Sequence, residues 1–170
     1  MIVNLSDSWI VQLHQNILQG KEKINQRDIS FFNIDMIEQA ARHTVLHIEN
    51  CQQCKANKDI LLQLSREFPE KLNTISGRRE FSRRLDTVIK HLRQAHGIYP
   101  KGYFTGLYTF SGVILGGFVG WIAEELHLLS MYAAMVTFLG LGFIAGWIWG
   151  QIKDGKITKA GKRLDSELKL

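Results

Sequence analysis

The 170-residue chain reads as all-α, a small cytoplasmic helical domain followed by a transmembrane α-helical hairpin. Three observations predict this. Tyr103 to Ala123 and Leu128 to Ile152 carry no charge, and each exceeds the ~20 residues that cross a hydrocarbon core about 30 Å thick. Apolar positions in the first hundred residues recur at helical spacing, and no run of alternating β-branched residues argues for a sheet. Charge is also unevenly placed: residues 103–150 contain no Lys or Arg, whereas residues 78–102 carry a net +5 and residues 151–170 a net +3. A mean hydropathy of -0.07 hides that division. The pattern excludes a wholly soluble protein and a collagen-like or disordered chain, and two cysteines exclude a disulfide scaffold.

The elements follow in order. The N-terminus has no Lys or Arg before Lys21 and no small-residue cleavage site after an apolar run, so it is not a secretory signal. Ser6 or Asp7 caps a first helix with Ile10, Leu13 and Ile17 on one face, and Gly20 ends it. A polar connection through Asn25, Gln26 and Asp28 leads to Phe31 and Phe32. Asn33 or Asp35 starts a second helix that buries Ile37, Ala41, Val45 and Ile48. A third runs from Gln53 to Arg66 with Ile60, Leu61 and Leu64, and stops before Pro69. A fourth, from Arg79 to His96, buries Phe81, Leu85, Val88 and Leu92 and ends at Gly97. Residues 1–77 thus form the helical cytoplasmic domain, and 78–102 a basic juxtamembrane helix and linker.

The two transmembrane helices are expected at 103–123 and 128–152, with a basic cytoplasmic tail at 153–170. Glu124-Glu125-Leu126-His127 allows only a tight antiparallel connection. The basic flanks put both termini in the cytoplasm of an inner (cytoplasmic) membrane protein, with the acidic loop outside. Gly112, Gly116 and Gly120 repeat every fourth residue in the first span, as do Gly142, Gly146 and Gly150 in the second. Helices in lipid associate by close packing, so the simpler expectation is that the two stripes face each other; the alternative is that one stripe, with Gly106 and Gly117, makes a homo-oligomer. No Asp, Glu, Lys, Arg or His lies inside either span, which disfavours a pump or transporter.

Arg78, Arg79, Arg83, Arg84, Lys90 and Arg93 give the fourth helix a basic stripe. Just before a membrane span such residues are drawn to anionic lipid by about 1 kcal/mol each. No aromatic interleaving accompanies them, so direct nucleic-acid binding is not expected.

The chemistry-bearing residues cluster at the end of the second helix, as His43-x3-His47-x3-Cys51-x2-Cys54. Thiolate and imidazole are the ligands zinc prefers. On an unbroken helix residues 43 and 51 would stand ~12 Å apart along the axis, so the helix should end between His47 and Cys51, near Asn50. His47, Cys51 and Cys54 then close on the ion, and the fourth ligand is His43, His14 or water. The plain alternative makes the cysteines small buried hydrophobes; a redox pair is the third option, disfavoured by a reducing cytoplasm. His91, His96 and His127 read as a helix face, a helix end and an outer loop.

His47-x3-Cys51-x2-Cys54, set between short helices, resembles the zinc-binding anti-sigma factor domain over roughly residues 6–68. Its longer connection between the first two helices and its two-span anchor differ from that pattern. The resemblance implies a membrane-tethered cytoplasmic module that holds structural zinc and sequesters a soluble protein partner, a sigma factor. The alternative function is structural: an assembly protein whose glycine-rich hairpin oligomerises and whose helical domain is an adaptor. No phosphate-binding loop, nucleophile elbow, H-E-x-x-H or paired carboxylates in an apolar setting occur, so the chain is not expected to be an enzyme.

Overall fold

The computed structural model describes residues 8–127 and 130–164. Among the described residues the chain forms seven α-helices and no strand: α1 (Ser8–Lys21), α2 (Gln26–Phe31), α3 (Asp35–Val45), α4 (Gln52–Lys71), α5 (Ile75–His96), α6 (Tyr103–Glu125) and α7 (Met131–Lys159). The first-helix cap expected at Ser6 or Asp7 lies outside the described residues. The chain divides into two compact units, Met1–Tyr99 with Leu164–Leu170, and Pro100–Arg163.

In the first unit α1 packs on α4, α4 on α5, and α3 on both α4 and α5. The periodic residues Leu13, Ile17, Ile37, Ala41, Leu61, Leu64, Phe81, Val88 and Leu92 are all buried in one core. α5 contributes to that core along its length, so a division at 77/78 falls inside a single packed helix. Its ends are set locally. The Thr74 hydroxyl accepts from the Gly77 N–H at 3.1 Å, a side-chain cap for an otherwise unpaired donor. At the other end Gly97 takes φ 65°, and the N–H groups of Gly97 and Ile98 reach back to the carbonyls of Arg93 and Leu92. That left-handed turn favours glycine because a Cβ would strain it.

Two expectations are corrected. The polar connection after α1 contains the short helix α2, whose Ile29 is buried. α4 also continues through Pro69 instead of stopping before it. Proline removes a helical N–H, but here only Glu70 and Lys71 follow, and Phe68 and Pro69 are both buried. They pack against Gly20, where an added Cβ would run into the Phe68 ring and lie 3.0 Å from Pro69 Cγ. Tertiary packing thus holds the last turn that local propensity disfavours.

In the second unit α6 and α7 form an antiparallel pair, and both are long and apolar enough to cross a membrane. α7 runs seven residues beyond the expected end at Ile152. At 1.5 Å per residue it is ~43 Å long, so a hydrocarbon core of ~30 Å accounts for only part of it. The helices meet along glycines. A Cβ at Gly112 would strike the carbonyl oxygen of Gly142, one at Gly116 that of Phe138, and one at Gly146 that of Tyr108; at Gly120 it would lie 3.2 Å from the Ala134 oxygen. Gly106 has nothing within 4 Å of such a position. Large apolar residues such as Phe110, Leu115, Phe118 and Trp149 point outward. Asp154 of α7 closes the open end: its carboxylate accepts from the N–H groups of Phe104 and Thr105 at 3.2 and 2.9 Å and from the Thr105 hydroxyl at 2.6 Å. A negative charge there satisfies donors that the first turn of α6 leaves unpaired.

Candidate metal centre

The turn joining α4 to α5 is three residues long, so the start of α4 lies beside the end of α5. α3 closes at Val45, and the chain turns tightly through residues 46–50 by bonds from His47 N–H to Thr44 O and from Asn50 N–H to His47 O. Cys51 is extended (φ -135°, ψ 112°) and serves as the N-cap of α4; Cys54 follows in its first turn. His91 and His96 hang from the last part of α5. These two helix ends bring four ligand atoms together.

The sulfurs of Cys51 and Cys54 and one nitrogen each from His91 and His96 lie within 4.8 Å of one another. His91 Nε2 is 3.3 Å from Cys51 Sγ and 3.4 Å from Cys54 Sγ, and His96 Nε2 is 3.2 Å from Cys54 Sγ. A tetrahedral ion with bonds of about 2.3 Å to sulfur and about 2.0 Å to nitrogen places its ligands roughly 3.3–3.8 Å apart. The three sulfur–nitrogen separations already match this spacing, and pairs as far apart as 4.8 Å would close by about 1–1.5 Å around one such ion. Cys54 is fully buried, and the other three are partly buried.

The local electrostatics favour a cation. The Cys54 N–H, aimed at the Cys51 sulfur from the first turn of α4, holds the Cys51 thiol below its ordinary value. Burial, followed by the adjacent Cys51, pushes Cys54 up to about 12. A metal bound to both sulfurs would supply the positive charge that a buried Cys54 thiolate requires. Burial also lowers His96, and likewise the nearby His47, helped by neighbouring imidazoles; for His96 this favours the neutral ring that ligation demands.

His47 is not among the four. Its ring stacks on His96 with centroids 3.9 Å apart and planes 12° from parallel. The two other expected ligands also lie elsewhere. His43 is buried on α3 at 2% exposure, and His14 on α1 has Nδ1 3.3 Å from Glu38 Oε2. The places given to them in sequence are occupied by His91 and His96, which had read as a helix face and a helix end. A signal for them existed: Cys51-x2-Cys54 and His91-x4-His96 together match the Cys-x2–4-Cys … His-x3–5-His arrangement of zinc sites.

The basic stripe on α5 divides. Arg84 turns to α4, donating to Gln63 Oε1 at 2.6 Å and lying 3.7 Å from Glu67 and 3.9 Å from Glu80. Arg78, Arg79, Arg83 and Lys90 border a separate groove. Comparison of the chain with known protein families, curated proteins and solved structures finds no significant match.

Proposed function

We propose that the chain is a membrane-anchored, zinc-binding regulatory module in which Cys51, Cys54, His91 and His96 hold a structural ion and the helical unit binds a soluble protein partner. The convergence of two sulfurs and two imidazole nitrogens within 4.8 Å carries the metal part of this reading. Two thiolates with two neutral imidazoles suit zinc by softness. Four protein ligands leave no position for a reacting water, which favours a structural role over catalysis. The ion would clamp the start of α4 to the end of α5, two elements joined to the core by their apolar faces.

The anchor reading rests on α6 and α7, and the positive flanks favour an orientation with both termini in the cytoplasm. The connection between those helices, residues 126–130, is too short to bind much outside, which favours an anchor over a sensor. A sigma factor as the partner rests on the resemblance alone, of whose His47-x3-Cys51-x2-Cys54 signature two residues belong to the four-ligand group.

Metal analysis of the full chain purified in detergent tests the centre. The parent should carry about one zinc per chain, and Cys54→Ser or His91→Ala should lose most of it, because metal binding in small domains is folding free energy. Zinc content equal to the parent in both variants would sink the site. Co-purification of a soluble partner that Cys54→Ser abolishes would support the regulatory reading; a partner retained without metal would not.

A further inference from the structure

Phe31 and Ile75 are the most exposed large hydrophobic side chains among the described residues of the first unit, at 77% and 73%. They lie on one groove, of about 670 Å³, with Arg79, Arg83 and Lys90. Water gives no reason for this placement. The neighbouring Phe32 shows the usual alternative: it packs against the core and edge-on to Phe81 with centroids 6.5 Å apart, under the Arg78 guanidinium. Phe31 touches the Phe32 ring and otherwise projects outward.

The groove is organised by α5. At 100° per residue, positions 75, 79, 83, 86 and 90 fall within a stripe roughly 80° wide, opposite the face that buries Phe81, Leu85, Val88 and Leu92. Those five positions hold one exposed isoleucine, three cations and a single acid, Asp86, and Arg93 lies further along the same stripe outside the groove. Apolar tips framed by Arg and Lys form the pattern of a surface that rests in the headgroup region of an anionic bilayer: the tips enter the acyl boundary while the cations meet phosphates.

We propose that this groove docks the helical unit onto anionic lipid headgroups, with Phe31 and Ile75 inserted and Arg79, Arg83 and Lys90 supplying the charge contacts. The same chain supplies the reason to choose lipid over an acidic protein. Six residues, 97–102, separate α5 from an apolar helix of membrane-spanning length. The connection is short, so a bilayer that holds α6 keeps its own surface at high effective concentration for the first unit. The assignment narrows the basic stripe to the residues beside exposed apolar groups, and it stands independently of the metal centre.

The test uses the full chain in nanodiscs, with p-benzoylphenylalanine in place of Phe31 and lipid adducts read by mass spectrometry after irradiation. Discs containing phosphatidylglycerol should give a lipid-mass adduct. Pure phosphatidylcholine discs should lower it by about fivefold or more, since each cation near an anionic surface is worth a factor of about five. Arg79→Glu with Arg83→Glu should lower it similarly in the anionic discs while leaving the circular dichroism of the parent. The same probe at Leu18, exposed on α1, should stay low throughout. Equal adducts in neutral and anionic discs, equal adducts at positions 18 and 31, or no lipid adduct at 31 would each overturn the proposal. So would irradiation in cells that yields a protein-mass adduct in place of lipid, which would make the groove a protein-docking surface.

Discussion

Helices in the first unit meet through their largest side chains, whereas α6 and α7 meet through their smallest. Between α1, α3, α4 and α5 lie Phe68, Phe81 and a set of leucines and isoleucines. Between α6 and α7 lie Gly112, Gly116, Gly142 and Gly146, with the bulky residues on the outside. Composition alone does not explain this, since phenylalanine and leucine are plentiful in both. The solvent does. In water a helix gains by hiding large apolar surface; in lipid that surface is already at home, and only close backbone approach is left to favour association. The inverted arrangement of the second unit is thus a packing argument for a membrane, separate from hydropathy.

The largest expected effect probes the first half of that comparison. Phe68→Ala should destabilise the helical unit by about 3–5 kcal/mol, read as a lowered thermal midpoint of the full chain in detergent. A shift too small to measure would mean the bulky core is not what holds those helices. The second half predicts the opposite sensitivity. Gly146→Leu adds bulk where the Tyr108 carbonyl leaves none, and it should loosen the hairpin by about 1–3 kcal/mol, seen as weaker energy transfer between probes at the open ends of α6 and α7. An unchanged signal would place the glycine faces against lipid.

A smaller effect separates glycine packing from polar pinning. Asp154→Asn keeps the shape but removes the charge that caps α6, and should cost the hairpin about 1.5 kcal/mol, adding to Gly146→Leu in the double variant because the sites do not touch. The smallest prediction returns to the metal centre. His47→Ala removes the ring stacked on His96 and should weaken zinc binding about tenfold, as loss of a supporting neighbour does, whereas His47→Phe keeps a flat partner and should restore most of it. Loss from both variants as severe as from Cys54→Ser would make His47 a ligand after all.

Elements with a long periodic face were legible in the sequence. α5 was placed from Phe81, Leu85, Val88 and Leu92 and closed by Gly97, and the membrane-length helices from their uninterrupted apolar runs. α2 was not, because six residues hold too few turns for a period to register. The passage of α4 through Pro69 depends on Gly20, far away in the chain. The cysteine–histidine cluster was half legible for a related reason. Cys51 and Cys54 stand together in sequence, but His91 and His96 reach them only because two helices joined by a short turn run antiparallel. His43 and His47 lay in the same short window as the cysteines, and proximity along the chain favoured them over partners about forty residues away.

Leu164 carries a consequence for the order of events in the cell. It lies in the core of the first unit at 2% exposure, and its N–H donates to the Tyr99 carbonyl at 2.9 Å. The helical unit is therefore discontinuous, interrupted between Tyr99 and Leu164 by the whole hairpin. During synthesis the ribosome completes α1 to α5 and then the two apolar helices before it adds the leucine that seals the core. Closure of the helical unit around Leu164 thus follows the making of the hairpin, and a chain that stalls before Leu164 has every described helix of the first unit but not this core leucine.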